Sequence, residues 1–210
     1  GRLGFSWTYA AFLIELCLVT VSASPTLHIP GQPPVSLEWG RVIKILDGGN
    51  HHPLLCHLDA TTGPAGLWVV KPFDVYSTGN RRDGGMNIIA ELAGAEVCVL
   101  AGIPAPQPGL IRFPKDPKDA NHDNTSEKDR KEVETIFKMN SGKIAFCCAY
   151  IFDSPDLDVD VISGRYGLAL TQQWGATLLA LDAYIRHDDR RCTNPNALVF
   201  GEAIIAVDHG

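Results

Sequence analysis

His187-Asp188-Asp189-Arg190-Arg191-Cys192-Thr193-Asn194-Pro195-Asn196, followed after a short apolar stretch by Val207-Asp208-His209-Gly210, is the most informative part of this sequence. Before it, Thr171 to Arg186 places Trp174, Leu178, Leu181 and Ile185 on one stripe, the pattern of a helix with one buried face. Between its two halves, Asn196 to Val207 reads as two short strands around Gly201-Glu202. The expected arrangement is helix, polar loop, hairpin. It sets Asp189 in a loop, a carboxamide at Asn194 five residues on, and a second carboxylate, Asp208, beyond the hairpin.

Phosphoryl transfer needs that inventory. One acid positions or deprotonates the acceptor hydroxyl, while a carboxamide oxygen and a second acid hold the magnesium that neutralises the phosphates. Magnesium takes hard oxygen ligands and keeps part of its shell for phosphates and water, so an Asn–Asp pair suffices. Asn196 is a second carboxamide in the same loop; the spacing from Asp189 favours Asn194.

Working upstream, Leu67-Trp68-Val69-Val70-Lys71 is a short β-rich run that ends on a cation. An ammonium at the end of an apolar strand is expensive unless it meets an anion. From Asn87 to Ala101, apolar residues recur at Ile88, Leu92, Ala95 and Val99, which predicts a helix. Gly102 and Pro104 stop it. Glu91 lies inside that helix, placed to pair with Lys71. Gly48-Gly49-Asn50 gives a turn whose backbone N–H groups can approach phosphates closely. Strands are expected at Trp39 to Leu46, Pro53 to Leu58, Gly109 to Phe113 and Gly142 to Phe152. The charged stretch from Lys115 to Glu134 reads as a solvated loop running into a short helix. Each feature alone has an ordinary explanation: a snorkelling lysine, a surface glutamate, a hairpin turn, a charged cluster after a helix. Their order along the chain is what carries the reading.

At this point Trp68-Val69-Val70-Lys71-Pro72-Phe73, Ala90-Glu91-Leu92-Ala93-Gly94 and Gly102-Ile103-Pro104-Ala105-Pro106 resemble the N-lobe of the HipA-like kinase family. Asp189-Arg190-Arg191-Cys192-Thr193-Asn194 with Val207-Asp208-His209-Gly210 resembles that family's catalytic loop and metal-binding acid. The likeness runs from about Arg41 to Gly210. It implies an α+β, two-lobed, protein-kinase-like fold, with an antiparallel-sheet N-lobe carrying one helix (about 39–152) and a helical C-lobe (about 153–210). Residues 1–38 form an apolar leader and Pro-rich linker outside it. The family's C-lobe continues into further helices, so the C-lobe in this sequence is expected to be partial. Ala90 stands where the family carries a polar Asn.

Carried over by position, the resemblance makes Asp189 the catalytic acid/base and Asn194 and Asp208 the magnesium ligands. Lys71 would bind the α- and β-phosphates with Glu91 supporting it, and Gly48, Gly49 and Asn50 would border the phosphates. Backbone groups between Ala149 and Phe152 would meet the adenine. The implied activity is ATP- and Mg2+-dependent transfer of the γ-phosphate to a hydroxyl, with a protein Ser or Thr as first expectation for the acceptor. The alternative is an inactive nucleotide-binding or interaction module, a pseudokinase or fragment. Lys71, Asp189, Asn194 and Asp208 are all present, which favours activity.

Composition limits the rest. The 210 residues are 45% hydrophobic and 20% charged, as in an ordinary globular protein. A net charge of −6 argues against a broadly basic nucleic-acid binder. Six cysteines without a C-x-x-C pair fit reduced core thiols and a reducing, cytoplasmic setting. A zinc site from His51, His52, Cys56 and His57 with Cys147 and Cys148 lacks a second ligand pair at diagnostic spacing, and Pro53 forbids a regular helix through His52 and Cys56. No P-loop or G-x-S-x-G sequence occurs. Thr8 to Ala23, apolar and ending Val21-Ser22-Ala23, has the outline of a signal or anchor; Glu15 within it argues against that reading. No other membrane contact is expected.

Overall fold

The computed structural model describes residues 27–46, 52–61, 65–73, 84–116, 127–151, 168–185, 196–200 and 203–208. In chain order the elements are β1 (Val35–Ile45), β2 (Leu54–Ala60), β3 (Gly66–Lys71), α1 (Gly84–Leu100), β4 (Pro108–Arg112), α2 (Glu127–Asn140), β5 (Ile144–Ala149), α3 (Leu168–Ile185), β6 (Ala197–Phe200) and β7 (Ala203–Ala206). Most strands and helices fall where the hydrophobic period places them, with ends shifted by a few residues; β1 starts at Val35 rather than Trp39. The larger departure is the charged stretch read as a solvated loop and short helix up to Glu134: its helix runs on to Asn140 and packs Val133, Ile136 and Phe137 on the core.

The first five strands close into a barrel in the order β1-β2-β3-β5-β4. All neighbours are antiparallel except β1 and β4, which run parallel through Val35–Gly109, Ser36–Leu110 and Leu37–Ile111. Alternation decides which side chains point in. Leu54, Cys56 and Leu58 of β2, Trp68 and Val70 of β3, and Ala145, Cys147 and Ala149 of β5 fill the interior. Helix α2 covers this core with Val133, Ile136 and Phe137, residues of one helical face. There Trp39, Phe113 and Phe137 form a three-ring cluster with centroids 4.8–5.1 Å apart, a spacing suited to tilted and edge-on contact.

This architecture corrects the expected fold. The chain is α+β, but its sheet is a closed mixed barrel, not the open antiparallel sheet of a two-lobed, protein-kinase-like fold. Two glycines show why closure is reached. In β1 the pairing with β2 slips between Trp39 and Arg41 and again between Val42 and Lys44, and such irregularities bend and twist a strand. Gly40 sits at the first slip, where a Cβ would collide with the His57 carbonyl oxygen. Gly109 of β4 faces inward, where a Cβ would lie 2.8 Å from Leu37 Cδ1 and 3.1 Å from both Cys147 Sγ and the Trp68 ring. A side chain there would hold β4 away from β1.

A second core joins α1 to the C-terminal elements through Ala95, Cys98, Ile103, Ala105, Leu178, Leu181, Ala197, Ile204 and Ala206. Helix α1 ends as its sequence predicts. Gly102 has φ of 81°, its N–H donates to Val99 O, and the Ile103 N–H donates to Cys98 O, the paired bonds of a Schellman cap. No helix among the described residues is long and apolar enough to cross a membrane.

Candidate functional site

Lys71 is the last residue of β3, paired with Phe146 of β5, on the outward face of the barrel. Its ammonium lies 6.0 Å from the Phe146 ring centroid, at the outer limit of a cation–π contact. Helix α1 lies along this side and delivers Glu91. The apolar pattern predicts a buried stripe through Ile88, Leu92, Ala95 and Val99, but the deepest positions are Glu91, Gly94, Ala95 and Cys98. Glu91 is 3% exposed, so a carboxylate occupies a core position. Such a group is tolerated when an opposite charge meets it, and Lys71 Nζ donates to Glu91 Oε1.

A second carboxylate arrives from the far end of the chain. Strand β7 is anchored by the Ala206 N–H, which donates to Pro104 O over 3.0 Å, and the Val207 N–H donates to Asn196 O over 3.0 Å. These bonds aim Asp208 at the barrel, where its Oδ1 accepts from Lys71 Nζ at 2.6 Å. Asp208 and Asn196 both adopt left-handed backbone, with φ of 55° and 44°. Asp and Asn are the non-glycine residues that best tolerate that region, and such positions gather at working sites.

Three of the residues singled out in the sequence, Lys71, Glu91 and Asp208, therefore meet at one point. Burial alone would lower the Lys71 pKa, but the Glu91 and Asp208 carboxylates outweigh it and hold the ammonium well above its ordinary range. The Lys71 side chain is 17% exposed and that of Asp208 37%, so the cluster opens to solvent on the Asp208 side. Asp189, Asn194, Gly48, Gly49 and Asn50 lie outside the described residues. Asn196, the second carboxamide, is buried at the base of the β6–β7 hairpin.

Two further findings concern the neighbourhood. Of the backbone groups between Ala149 and Phe152 expected to meet an adenine, the Ala149 and Tyr150 N–H groups donate to Gln107 O and Leu67 O at 3.0 and 2.9 Å. Sequence reasoning weighed Cys148 only with Cys147, as a zinc ligand, and not as a neighbour of Lys71. Cys148 pairs with Val69, two residues before Lys71, so strand alternation puts its thiol on the Lys71 side, while Cys147 points into the barrel. Burial lifts the Cys148 pKa to about 12; Lys71 pulls it down, and Glu91 and Asp208 push it up. The alternation carried this signal; the apolar surroundings of the Cys147-Cys148 pair masked it.

Comparison with protein-family models, curated proteins and solved structures finds no match to this chain.

Proposed function

We propose that the chain is an ATP- and Mg2+-dependent phosphotransferase that passes the γ-phosphate to a hydroxyl, with a protein Ser or Thr as the expected acceptor. The observation that carries this reading is the Lys71 ammonium held between a buried glutamate and a half-exposed aspartate. The two carboxylates outnumber the one cation they bind, so a polyphosphate entering alone would meet net negative charge. A divalent cation removes that conflict. Asp208 offers the hard oxygen that magnesium prefers, and Lys71 can then turn to phosphate oxygens while Glu91 keeps its stem in place. Among the described residues no three His, Cys, Asp or Glu side chains stand together as a metal site. Magnesium bound here would rest on Asp208, on phosphate oxygens and on Asn194, which lies outside the described residues.

In this reading Lys71 orients the phosphates and offsets the charge that develops as the γ-phosphate leaves, and Asp189 directs the acceptor hydroxyl. The magnesium ion, when bound, supplies neutralisation of the phosphate oxygens.

Calorimetry of ATP binding with and without magnesium, on the wild type and on Asp208→Ala, tests it. Magnesium-dependent binding that disappears in the variant is the expected result. A folded wild type that binds no ATP overturns the reading, and leaves the cluster as an ionic lock between barrel, helix and hairpin.

A further inference from the structure

Leu27 to Gln32 forms a strap across the end of α1. Leu27 bridges to Pro106, and the His28 N–H donates to Ala105 O over 2.9 Å. The His28 ring is almost wholly buried, its side chain 2% exposed, and its Nε2 lies 2.6 Å from Glu96 Oε2. The other Glu96 oxygen accepts from the Gly31 N–H at 2.9 Å. One carboxylate on α1 thus holds the strap at two points, and the strap holds the segment that follows α1 at two more.

That segment is where the supports of both site carboxylates meet. Helix α1 carries Glu91. Pro104 accepts from the Ala206 N–H, two residues before Asp208. Glu91 and Glu96 are the only charged side chains in α1. Five residues separate them, about 140° around the helix and ~7.5 Å along it, so they face different ways. Glu91 engages the barrel and Glu96 engages the strap. Around His28, neither the strap nor Ala101 to Gln107 carries an ionisable group, so Glu96 is the one charge these elements turn toward it. His28 Nδ1 is buried with no hydrogen-bond partner among the described residues. With Nε2–H donating to Glu96, the orphan is a bare lone pair, a smaller cost than a buried N–H left unmade.

We propose that His28 and Glu96 are positioning residues: their clasp fixes the rotation and axial setting of α1 and the course of Gly102 to Pro106. Through these it holds Glu91 and Asp208 on Lys71. The inference rests on the reading of the Lys71 cluster as the working site.

The test reads Lys71 directly, without nucleotide. The full chain is pulsed with a small amine-acetylating ester, and acetylation of each lysine is followed by peptide mass spectrometry. In the wild type Lys71 reacts slowly, held by two carboxylates. In Glu96→Ala and His28→Ala its rate is expected to rise several-fold, while Lys44 and Lys143 on the barrel keep theirs. Glu96→Gln keeps an oxygen for the Gly31 N–H and turns its amide NH2 to His28 Nε2, which accepts once the ring carries its proton on Nδ1, so it is expected to return Lys71 part of the way to the wild-type rate. An unchanged Lys71 rate in either folded alanine variant overturns the proposal, as does a rise shared equally by all lysines. Should Glu96→Ala fail to fold, His28→Ala against Glu96→Gln decides it. ATP binding is scored separately, so a wild type that binds no ATP defeats the functional reading without altering the Lys71 result.

Discussion

Lys71 and Asp208 lie 137 positions apart in the chain and 2.6 Å apart in space, joined at the edge of the barrel. With Glu91 on the other side, the ammonium ties together β3, α1 and the segment beyond β7.

Removing the cation should cost more than removing the whole pair. Lys71→Ala leaves the buried Glu91 carboxylate without its ammonium, and breaking a buried pair in this way costs about 3 kcal/mol. The double variant Lys71→Met/Glu91→Leu should recover most of that loss, because two apolar side chains carry no desolvation penalty. Urea unfolding measures both. Equal losses in the single and the double variant would count against an ionic role for the pair.

The alkaline limb of stability should carry a Lys71 component. The folded pKa is raised by Glu91 and Asp208. The stabilisation is therefore fully present below the unfolded lysine value of about 10.4 and declines as pH rises above it toward the folded value. Urea midpoints from pH 9 to 11.5 should fall more steeply in the wild type than in Lys71→Met. Parallel curves would refute this.

At the acid end the sign reverses. Glu96 is held below its ordinary pKa by the His28 ring and the Gly31 N–H. Its contribution is present above the unfolded glutamate value of about 4.3 and is lost as pH falls through the folded one. Hydrogen exchange at the Gly31 amide should accelerate over that window beyond the intrinsic rate, and Glu96→Gln should abolish the extra acceleration.

Gly109→Ala should destabilise by about 1–3 kcal/mol, since the new methyl overpacks the barrel against Leu37, Cys147 and Trp68. Gly40→Ala should cost at least as much, because its neighbour is the His57 backbone rather than a side chain that can turn away. A thermal melt of either variant that matches wild type would show that the barrel has slack at that position.

Cys56 and Cys147 should resist iodoacetamide at pH 8 until the chain unfolds, for burial raises both thiols far out of the reactive range. Cys148, at about 12, should also react slowly. Asp208→Asn should quicken it modestly by removing one of the carboxylates that push it up. A quantitative alkylation series with and without denaturant checks each thiol.

The elements were legible in the sequence because local rules write them. Alternation marks Leu54 to Leu58 and Trp68 to Val70, and the Gly102 cap ends α1 where it should. Lys71 was legible because an ammonium closing an apolar strand demands a partner; Glu91 and Asp208 were legible through the order of residue types along the chain rather than through their own surroundings. Closure of the sheet was not legible. The parallel pairing of Val35 to Leu37 with Gly109 to Ile111 depends on two glycines whose meaning appears only once the opposing strands are in place. Nor was His28, one histidine in a Pro-rich stretch whose burial is set by the far side of α1.

The parallel seam between β1 and β4 also bears on how the chain reaches its native state. The hairpin pairs β1–β2 and β2–β3 join neighbours and can form early. The β1–β4 seam and the β3–β5 pairing come later, because the two sides of each are far apart in sequence and closing long loops is slow. Until the barrel closes, the strands hold Trp68, Cys56 and Cys147 on an uncovered sheet face. Oxidation or misassociation during folding would strike these residues, which are buried once the barrel has sealed.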